Sequence, residues 1–440
     1  MRTIVCSVLV GIAGVFGPTL AAVGAERAEK DLVDRVARLE EALAERSSAP
    51  SSAAGWFKRF HLSGNADFNY IHGQHNSIGD EGRFAVENTR FFIDVDLGGE
   101  SRWGDRTLLR SSGMHFEWDL VREASLKNKA GSLYVVLNGL LDSNLLNLKF
   151  GRFALPFGEE YLRFHEQRPQ NPLISYSAPA PYNWDEGLML FGNAVGGRLS
   201  YMLSVTDGDD GFNANSHAEP QVTAKLIMKP LPWLHASISG TRTGGLGGDA
   251  AGESALEWGG THGTPVGIGT VPTFQNGVAV PTDPTNRLDD LYAWEADLIL
   301  HKQRTGRLWL AAGQGYIRSG SNSFYDREFT YWIAEAVLEL GAISELLERF
   351  YLAARYSGIG TLDSDRGYLF EAMNHGDDLG FNTQRVDVVS GGAGIRVYES
   401  LVLKVEYSHF DFDLVRGVTP GLKRAARSKD YVGFGMTLDF

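Results

Sequence analysis

Six titratable side chains of both signs lie close together in the middle of the sequence: Glu159, Glu160, Arg163, His165, Glu166 and Arg168. Opposed charges that face each other across a narrow aqueous passage set up a transverse field, which sorts solutes by charge. On an open surface loop the same residues would only be solvated. Five prolines between Pro156 and Pro181 stiffen this segment, which favours an inward fold.

Known catalytic and metal-binding motifs do not fit this cluster or the rest of the chain. The sequence contains no G-x-S-x-G elbow, and Pro169 stands where an H-E-x-x-H zinc site beginning at His165 needs its second His. The run 207–210 resembles the start of a calcium loop, but Ala218 replaces the bidentate Glu at its twelfth position. We therefore predict no catalytic residue, no metal site and no cofactor, although a pair of carboxylates acting as in a glycosidase stays open.

The elements around the cluster show strand periodicity with one polar face. In residues 62–70, Leu62, Ala66, Phe68 and Tyr70 alternate with Ser63, Asn65, Asp67 and Asn69. Residues 90–97, 198–205 and 292–300 repeat the pattern. A soluble β-sandwich would alternate in the same way, so periodicity alone does not settle the fold.

The lengths of the connections favour a membrane barrel. About sixteen candidate strands begin near His61, and long connections at 154–184, 207–220, 242–288, 358–383 and 412–429 alternate with short ones at 193–196, 230–232, 302–306 and 398–400. Trp233, Tyr292, Tyr331 and Trp332 lie at strand ends, as interfacial aromatic girdles require. We predict an all-β fold, a transmembrane antiparallel barrel of about sixteen strands over residues 56–440.

The last eleven residues strengthen this prediction. Val432, Phe434, Met436, Leu438 and Phe440 share one face of a strand, and the sequence closes on that aromatic residue. The pattern resembles the terminal strand signal of bacterial outer-membrane barrels, so Phe440 is a candidate assembly signal for the outer-membrane assembly machinery.

The N-terminal part predicts export and self-association. Residues 1–25 read as a cleaved signal peptide that contains the only cysteine, Cys6, so the mature chain has no thiol. Residues 26–46 carry Leu32, Val36, Leu39 and Leu43 at heptad spacing, which predicts either an oligomerising coiled coil on the periplasmic side or a single amphipathic helix. Residues 47–55 read as a flexible linker.

The charge balance limits the partners. Cleavage of the signal peptide would change the formal net charge from −13 to −14, because it removes Arg2 and no acidic residue. Nucleic acid is therefore not an expected partner.

Alternation also predicts which charged side chains face the lumen. The basic candidates are Arg90, Lys149, Arg198, Lys225, Arg355 and Lys404, and the acidic candidates are Asp67, Asp94, Asp96, Glu295, Asp297 and Glu406. Lys149 and Arg152 precede the charged segment and are grouped with it as constriction candidates.

Four segments carry a family resemblance. Residues 148–164, LKFGRFALPFGEEYLRF, resemble the GKF-x-x-PFG segment of the phosphate-selective porin O/P family. Residues 184–190 are similar to its RD-x-G strand, 201–209 to its Y-x-x-G-V-x-N-G strand and loop, and 225–230 to its strand ending in Arg-Pro. The resemblance implies a sixteen-stranded homotrimeric channel in the bacterial outer membrane. The inward runs of Arg and Lys that the family's phosphate channels use are not located in the sequence.

Three functional hypotheses follow. The first is a porin for passive diffusion of small hydrophilic, charged solutes, such as phosphate or other anions, with the 154–184 loop as its constriction. The second is a structural or tethering barrel with a closed lumen. The third is a barrel enzyme that uses external carboxylates.

Overall fold

A computed structural model of the chain describes residues 57–73, 82–119, 130–160, 162, 171–181, 184–208, 220–244, 273–275, 278–280, 288–302, 305–319, 327–362, 383–414 and 429–440. The expected signal peptide, coiled coil and linker lie outside this part of the chain. Its twenty strands are β1 (Phe60–Gly73), β2 (Arg83–Gly98), β3 (Ser101–Trp103), β4 (Arg106–Leu109), β5 (Ser111–Asp119), β6 (Ala130–Asn138), β7 (Asn147–Ala154), β8 (Trp184–Ala194), β9 (Leu199–Thr206), β10 (Gln221–Leu231), β11 (Leu234–Gly244), β12 (Thr273–Gln275), β13 (Val278–Val280), β14 (Leu288–Lys302), β15 (Gly306–Ser319), β16 (Arg327–Glu339), β17 (Phe350–Thr361), β18 (Thr383–Tyr398), β19 (Leu401–Leu414) and β20 (Lys429–Asp439).

Sixteen of these strands form one closed barrel, as predicted. Each pairs antiparallel with its neighbours in chain order, while β3–β4 and β12–β13 are separate two-stranded hairpins. Closure pairs β20 with β1, and the backbone of Phe440 exchanges hydrogen bonds of 2.8 and 2.9 Å with Gly64. A closed barrel leaves no unpaired edge, which is what a sheet needs to cross lipid. None of the helices in the residues above is long and apolar enough to span a membrane.

Gly64 permits a close approach at this seam. A Cβ atom there would lie 2.5 Å from the carbonyl oxygen of Arg90 and 2.6 Å from Cζ of Phe440. No side chain fits at that distance, so the ring of the last residue packs over a position that must remain glycine.

The wall has the predicted sidedness. On β1, Leu62 is 63% exposed whereas Asn65 is 1% exposed, and on β20 Phe434 is 56% exposed whereas Tyr431 is buried. Apolar side chains therefore cover the outside of the barrel and polar ones face inward, the reverse of a soluble protein. One aromatic assignment was wrong: Tyr331 is buried inside the barrel, because odd-numbered residues of β16 face inward.

Connections of two kinds alternate around the barrel. Those at 74–82, 120–129, 155–183, 207–220, 245–287, 320–326, 362–382 and 415–428 lie at one end, and those at 99–110, 139–146, 195–198, 232–233, 303–305, 340–349 and 399–400 lie at the other, which we call the short-connection end. Length alone does not separate them, because 99–110 holds the β3–β4 hairpin and is longer than 320–326. Strand β7 is the fifth in the barrel, and 155–183 is the third connection at the long end, as expected.

Candidate functional site

The connection after β7 folds into the barrel. Gly158 donates its N–H to Ser239 Oγ on β11 at 3.0 Å, and Ala178 donates to Ser357 Oγ on β17 at 3.0 Å. Apolar contacts reinforce these bonds, because Leu155, Phe157 and Ala178 pack with inward side chains of β1, β14, β16, β17, β18, β19 and β20. The described parts of this connection, 155–160 and 171–181, are the inner loop.

The first anchor of the inner loop is Glu159. Its carboxylate lies 2.9 Å from Lys225 Nζ on β10 and 2.9 Å from His235 Nε2 on β11, and it accepts a 3.0 Å hydrogen bond from Ser237 Oγ. Lys225 also donates to the carbonyl oxygen of Gly158. Two residues that the sequence assigned to the constriction and the wall, Glu159 and Lys225, are thus direct partners.

Two further acidic candidates lie beside this anchor on β14. Asp297 accepts a 3.1 Å hydrogen bond from Trp309 Nε1, and it shares the Ser237 hydroxyl with Glu159, at an Oγ–Oδ2 distance of 3.1 Å. Glu295 is buried one inward position away. A lone buried carboxylate is costly, so the nearby Lys225 ammonium offsets part of the desolvation of the group.

The second anchor surrounds Arg355 on β17. Its guanidinium lies 4.0 Å from Glu160 and 3.6 Å from Glu335, and it donates to the carbonyl oxygens of Ser175 and Tyr176 at 2.8 and 2.7 Å. Glu160 accepts a 2.7 Å bond from the N–H of Ser177, and the Ser177 hydroxyl is its second donor. Arg355 therefore contacts both described parts of the inner loop, Glu160 and the backbone of Ser175 and Tyr176.

Glu406 on β19 is the third anchor of the inner loop. Its carboxylate accepts hydrogen bonds from the N–H groups of Ile174 and Ser175 and from the Ser175 hydroxyl. The hydroxyls of Ser408 and Tyr431 donate to it at 2.7 Å each. Hydrogen bonds to an ionised acceptor are about twice as strong as neutral ones, so this side chain is a strong clamp on the loop.

Among the described residues at this loop–wall contact, carboxylates outnumber cations. The acidic members are Glu159, Glu160, Glu295, Asp297, Glu335 and Glu406; the permanent cations are Lys225, Arg307 and Arg355. All nine are strongly buried apart from Arg307, whose side chain is 13% exposed. Removing one partner from such a cluster leaves an uncompensated buried charge, which costs about 3–5 kcal/mol.

The remaining wall candidates differ in burial and in their position along the barrel. Asp67, Arg90 and Lys404 are buried, and Arg90 pairs with Glu117 at 3.2 Å. Nearer the short-connection end, Asp94 is about half exposed and bonds His115 at 2.7 Å, while Asp96 and Arg198 are exposed. Arg198 lies in the turn before β9 and not in the strand itself.

The two candidates on β7 lie on opposite faces of the strand. Lys149 faces inward, with its Nζ 4.0 Å from the centre of the Tyr134 ring. Arg152 is an odd number of residues away and pairs with Glu186 of β8 at 2.9 Å. Alternation along β7 thus does not bring Arg152 to the lumen side beside Lys149.

A cavity of about 420 Å³ lies at the short-connection end, next to His235. Arg198, Lys229 and His301 contribute its cationic and titratable side chains, and Ile299 and Leu234 part of its apolar lining. Arg163, His165, Glu166 and Arg168 lie outside the described residues. Within the described residues, His, Cys, Asp and Glu do not gather in any group of three or more that could hold a metal ion.

Several site residues escaped the sequence analysis. Glu335 lies between Ile333 and Val337 on the inward face of a strand whose other face is also apolar. Alternation therefore does not mark Glu335 as part of a polar face. Ser175 and Ser177 lie on the inner loop, outside the strands, so strand periodicity does not address them. Glu117 could have been found, because it alternates with Phe116 and Trp118.

No protein-family model and no curated protein sequence matches the chain. Solved structures do match its fold. The outer membrane channel DcaP of Acinetobacter baumannii superposes with a TM-score of 0.52 at 14% identity, covering 87% of this chain and 97% of that one. The chain shares its fold with this outer-membrane protein. OmpT of Vibrio cholerae gives 0.51 at 9% identity, with 87% and 97% covered, and OprB of Pseudomonas putida gives 0.50 at 10%, with 87% and 95% covered.

Proposed function

We propose that the chain is an outer-membrane porin through which small, hydrophilic, charged solutes diffuse passively. The observation that carries this proposal is the inner loop, which enters a closed sixteen-stranded barrel with an apolar exterior and is fixed there by Glu159, Arg355 and Glu406. A loop fixed inside a barrel narrows its lumen, and charges near the narrowest section discriminate between ions. No chemical step is involved.

Single-channel recording in planar bilayers tests this function. The purified, detergent-folded chain is expected to insert with discrete conductance steps, and a heat-unfolded sample of the same preparation is expected to give none. A folded protein that inserts without steps at any voltage would refute the porin function.

The closed-lumen barrel is the second candidate, and one observation favours it. At the level of the inner loop the wall residues Lys225, Arg355 and Ser204 are buried, although a wide wet lumen would leave such side chains accessible. The same recording separates the two functions, because a tethering barrel conducts no ions.

Anions, including phosphate, are the proposed preferred solutes. The cavity at the short-connection end supports this preference, since Arg198 and Lys229 line it and make it a positive entrance. The excess of carboxylates at the loop–wall contact favours cations instead, so the proposed anion preference is one set at the entrance and not at the inner loop. Reversal potentials in gradients of potassium chloride and potassium phosphate measure the preference. Lys229→Gln should lower anion preference, whereas the control Lys302→Gln, at the same end but on the lipid-facing side of β14, should leave it unchanged.

Four further elements of the proposal concern the undescribed segments and the assembly. Charge reversal at Arg163 or Arg168 should change ion preference if these residues reach the constriction, and indifference to both would place them outside it. We also propose a homotrimer supported by the coiled coil at 26–46, export through the signal peptide at 1–25, and recognition of Phe440 during assembly. With the short-connection end toward the periplasm, the coiled coil would lie on the periplasmic side.

A further inference from the structure

An apolar groove of about 700 Å³ runs over the outer wall of β14–β17 at the short-connection end. Large side chains form its rims: Leu300, Leu308, Leu338, Leu352 and Trp233. All of them lie on the face of the barrel that carries the exposed apolar side chains. The groove therefore lies on the outer, apolar surface of the barrel.

The groove follows from three small residues in adjacent strands. One row of cross-strand neighbours runs over β14, β15, β16 and β17 and consists of Leu300, Leu308, Ala336 and Ala354. In the next row Gly306 of β15 lies beside Lys302 of β14. Gly306 has a φ of +140°, and a Cβ atom there would lie 1.9 Å from the carbonyl oxygen of Val337. The neighbouring backbone therefore leaves no room for a side chain at Gly306, which keeps the groove deep at this point.

A cation lies at the end of the groove nearest the short connections. Lys302 is exposed, is the cross-strand neighbour of Gly306, and forms no ion pair or side-chain hydrogen bond with any residue described above. Trp233 completes this end, because its carbonyl oxygen accepts a 2.8 Å bond from the N–H of His301 and holds the β10–β11 turn against β14. Lysine and tryptophan both favour the boundary between hydrocarbon and water.

An apolar groove that ends at a cation matches the chemistry of one class of ligand, in which a hydrocarbon chain is joined to an anionic phosphate. We propose that this groove is a binding site for an anionic glycerophospholipid, with one acyl chain along Gly306, Ala336 and Ala354 and the phosphate at Lys302. Basic pockets at the membrane boundary bind lipid head groups in this way. The inference rests on the proposed membrane insertion, and it places the lipid in the leaflet at the short-connection end.

A second copy of the chain is the competing occupant of this face. It would bury the same leucines, but it would need a counter-charge for Lys302. If a second copy occupies the groove, a substitution that fills the groove should weaken the oligomer. If a lipid occupies it, the same substitution should leave the oligomer unchanged.

Native mass spectrometry of the full chain in detergent, with phosphatidylglycerol added in steps, tests the site. The wild-type barrel should retain one phosphatidylglycerol with a saturable isotherm. Ala336→Leu, which fills the groove, and Lys302→Glu, which repels the phosphate, should each weaken that isotherm by at least about tenfold, the equivalent of 1.4 kcal/mol. Ala312→Leu is the matched control, because Ala312 is an exposed alanine of the same outer wall away from the groove.

Equal binding by all four proteins, no saturable binding by wild type, or a changed oligomer mass in Ala336→Leu would each overturn the lipid site. Conductance recorded on the same samples keeps the two proposals apart. Lipid retention without conductance steps would remove the porin function and leave the lipid site standing, and steps without retention would do the opposite.

Discussion

Replacing Glu406 with methionine should release the inner loop from the barrel wall. Methionine has a similar volume but accepts none of the hydrogen bonds that the carboxylate receives from the backbone N–H groups of Ile174 and Ser175 and from the hydroxyls of Ser175, Ser408 and Tyr431. The hydroxyls can turn to other acceptors, but the two backbone N–H groups cannot.

The expected magnitude follows from those two groups. Each buried N–H that loses its acceptor costs about 1–3 kcal/mol, so docking of the segment 171–181 should weaken by about 2–6 kcal/mol. The population of the released loop should then rise by about 30-fold or more, since each 1.4 kcal/mol is a factor of ten. Glu406→Gln should have a smaller effect, because its amide oxygen can face the two N–H groups while the hydroxyls accept from its amide nitrogen.

Two measurements report on loop release. Single-channel conductance should rise in Glu406→Met, because the loop no longer narrows the lumen, and Glu406→Gln should lie between it and wild type. Chymotrypsin should cut after Tyr176 faster in the same order, as followed by peptide mass. Glu339→Gln is the matched control, because Glu339 pairs with Arg396 at 2.6 Å inside the barrel without holding a loop N–H.

The clamp would be refuted by a Glu406→Met protein that folds, conducts with the wild-type step size and resists cleavage after Tyr176 as well as wild type does. A change in Glu339→Gln equal to that in Glu406→Met would also contradict it, since the loss of any inward-facing acid would then suffice.

Three further outcomes are expected. Gly64→Ala should lower the unfolding free energy of the barrel by about 1–3 kcal/mol through overpacking. The measurement is the temperature at which the gel band of the folded barrel moves to the position of the unfolded chain. Gly391→Ala, whose Cβ would meet nothing within 4 Å, should leave that temperature unchanged, and equal shifts in the two variants would contradict the packing at the seam. Deletion of residues 26–46 should leave a folded barrel but weaken the oligomer on native gels, and an unchanged oligomer would remove that role from the heptads. Phe440→Ala should reduce the amount of folded barrel in the outer membrane, measured by the same gel assay, and normal yield would show that the aromatic ring is dispensable.

The barrel could be predicted from the sequence because its determinants are local. Polar Asn65 and Asp67 alternate with apolar Leu62 and Phe68, and one period-two face repeated along the chain is enough to fix sidedness and strand count. Connection length was a weaker guide. The hairpin at 101–109 lengthens a connection at the short end, and nothing in strand periodicity separates such a hairpin from an extended loop.

The site could be predicted only in part, because its partners are distant in the sequence. Charge and proline content favour an inward fold of the connection after β7, and alternation predicts that Lys225, Arg355 and Glu406 lie on the inner face. In the structure all three contact the inner loop. Which charged loop residue pairs with which charged wall residue depends on how far the loop extends along the barrel wall, and tertiary packing sets that distance. The burial of these charges was also unexpected, since period-two polarity identifies an inward face but not whether water or a loop covers it.

The contact between Asp67 and Thr437, with an Oγ1–Oδ1 distance of 2.7 Å, joins residues 370 positions apart at the β1–β20 seam. The ribosome must therefore synthesise the 370 positions that separate these residues before strands β1 and β20 can pair. Until β1 and β20 pair, the sheet keeps two unpaired backbone edges, and such edges favour aggregation.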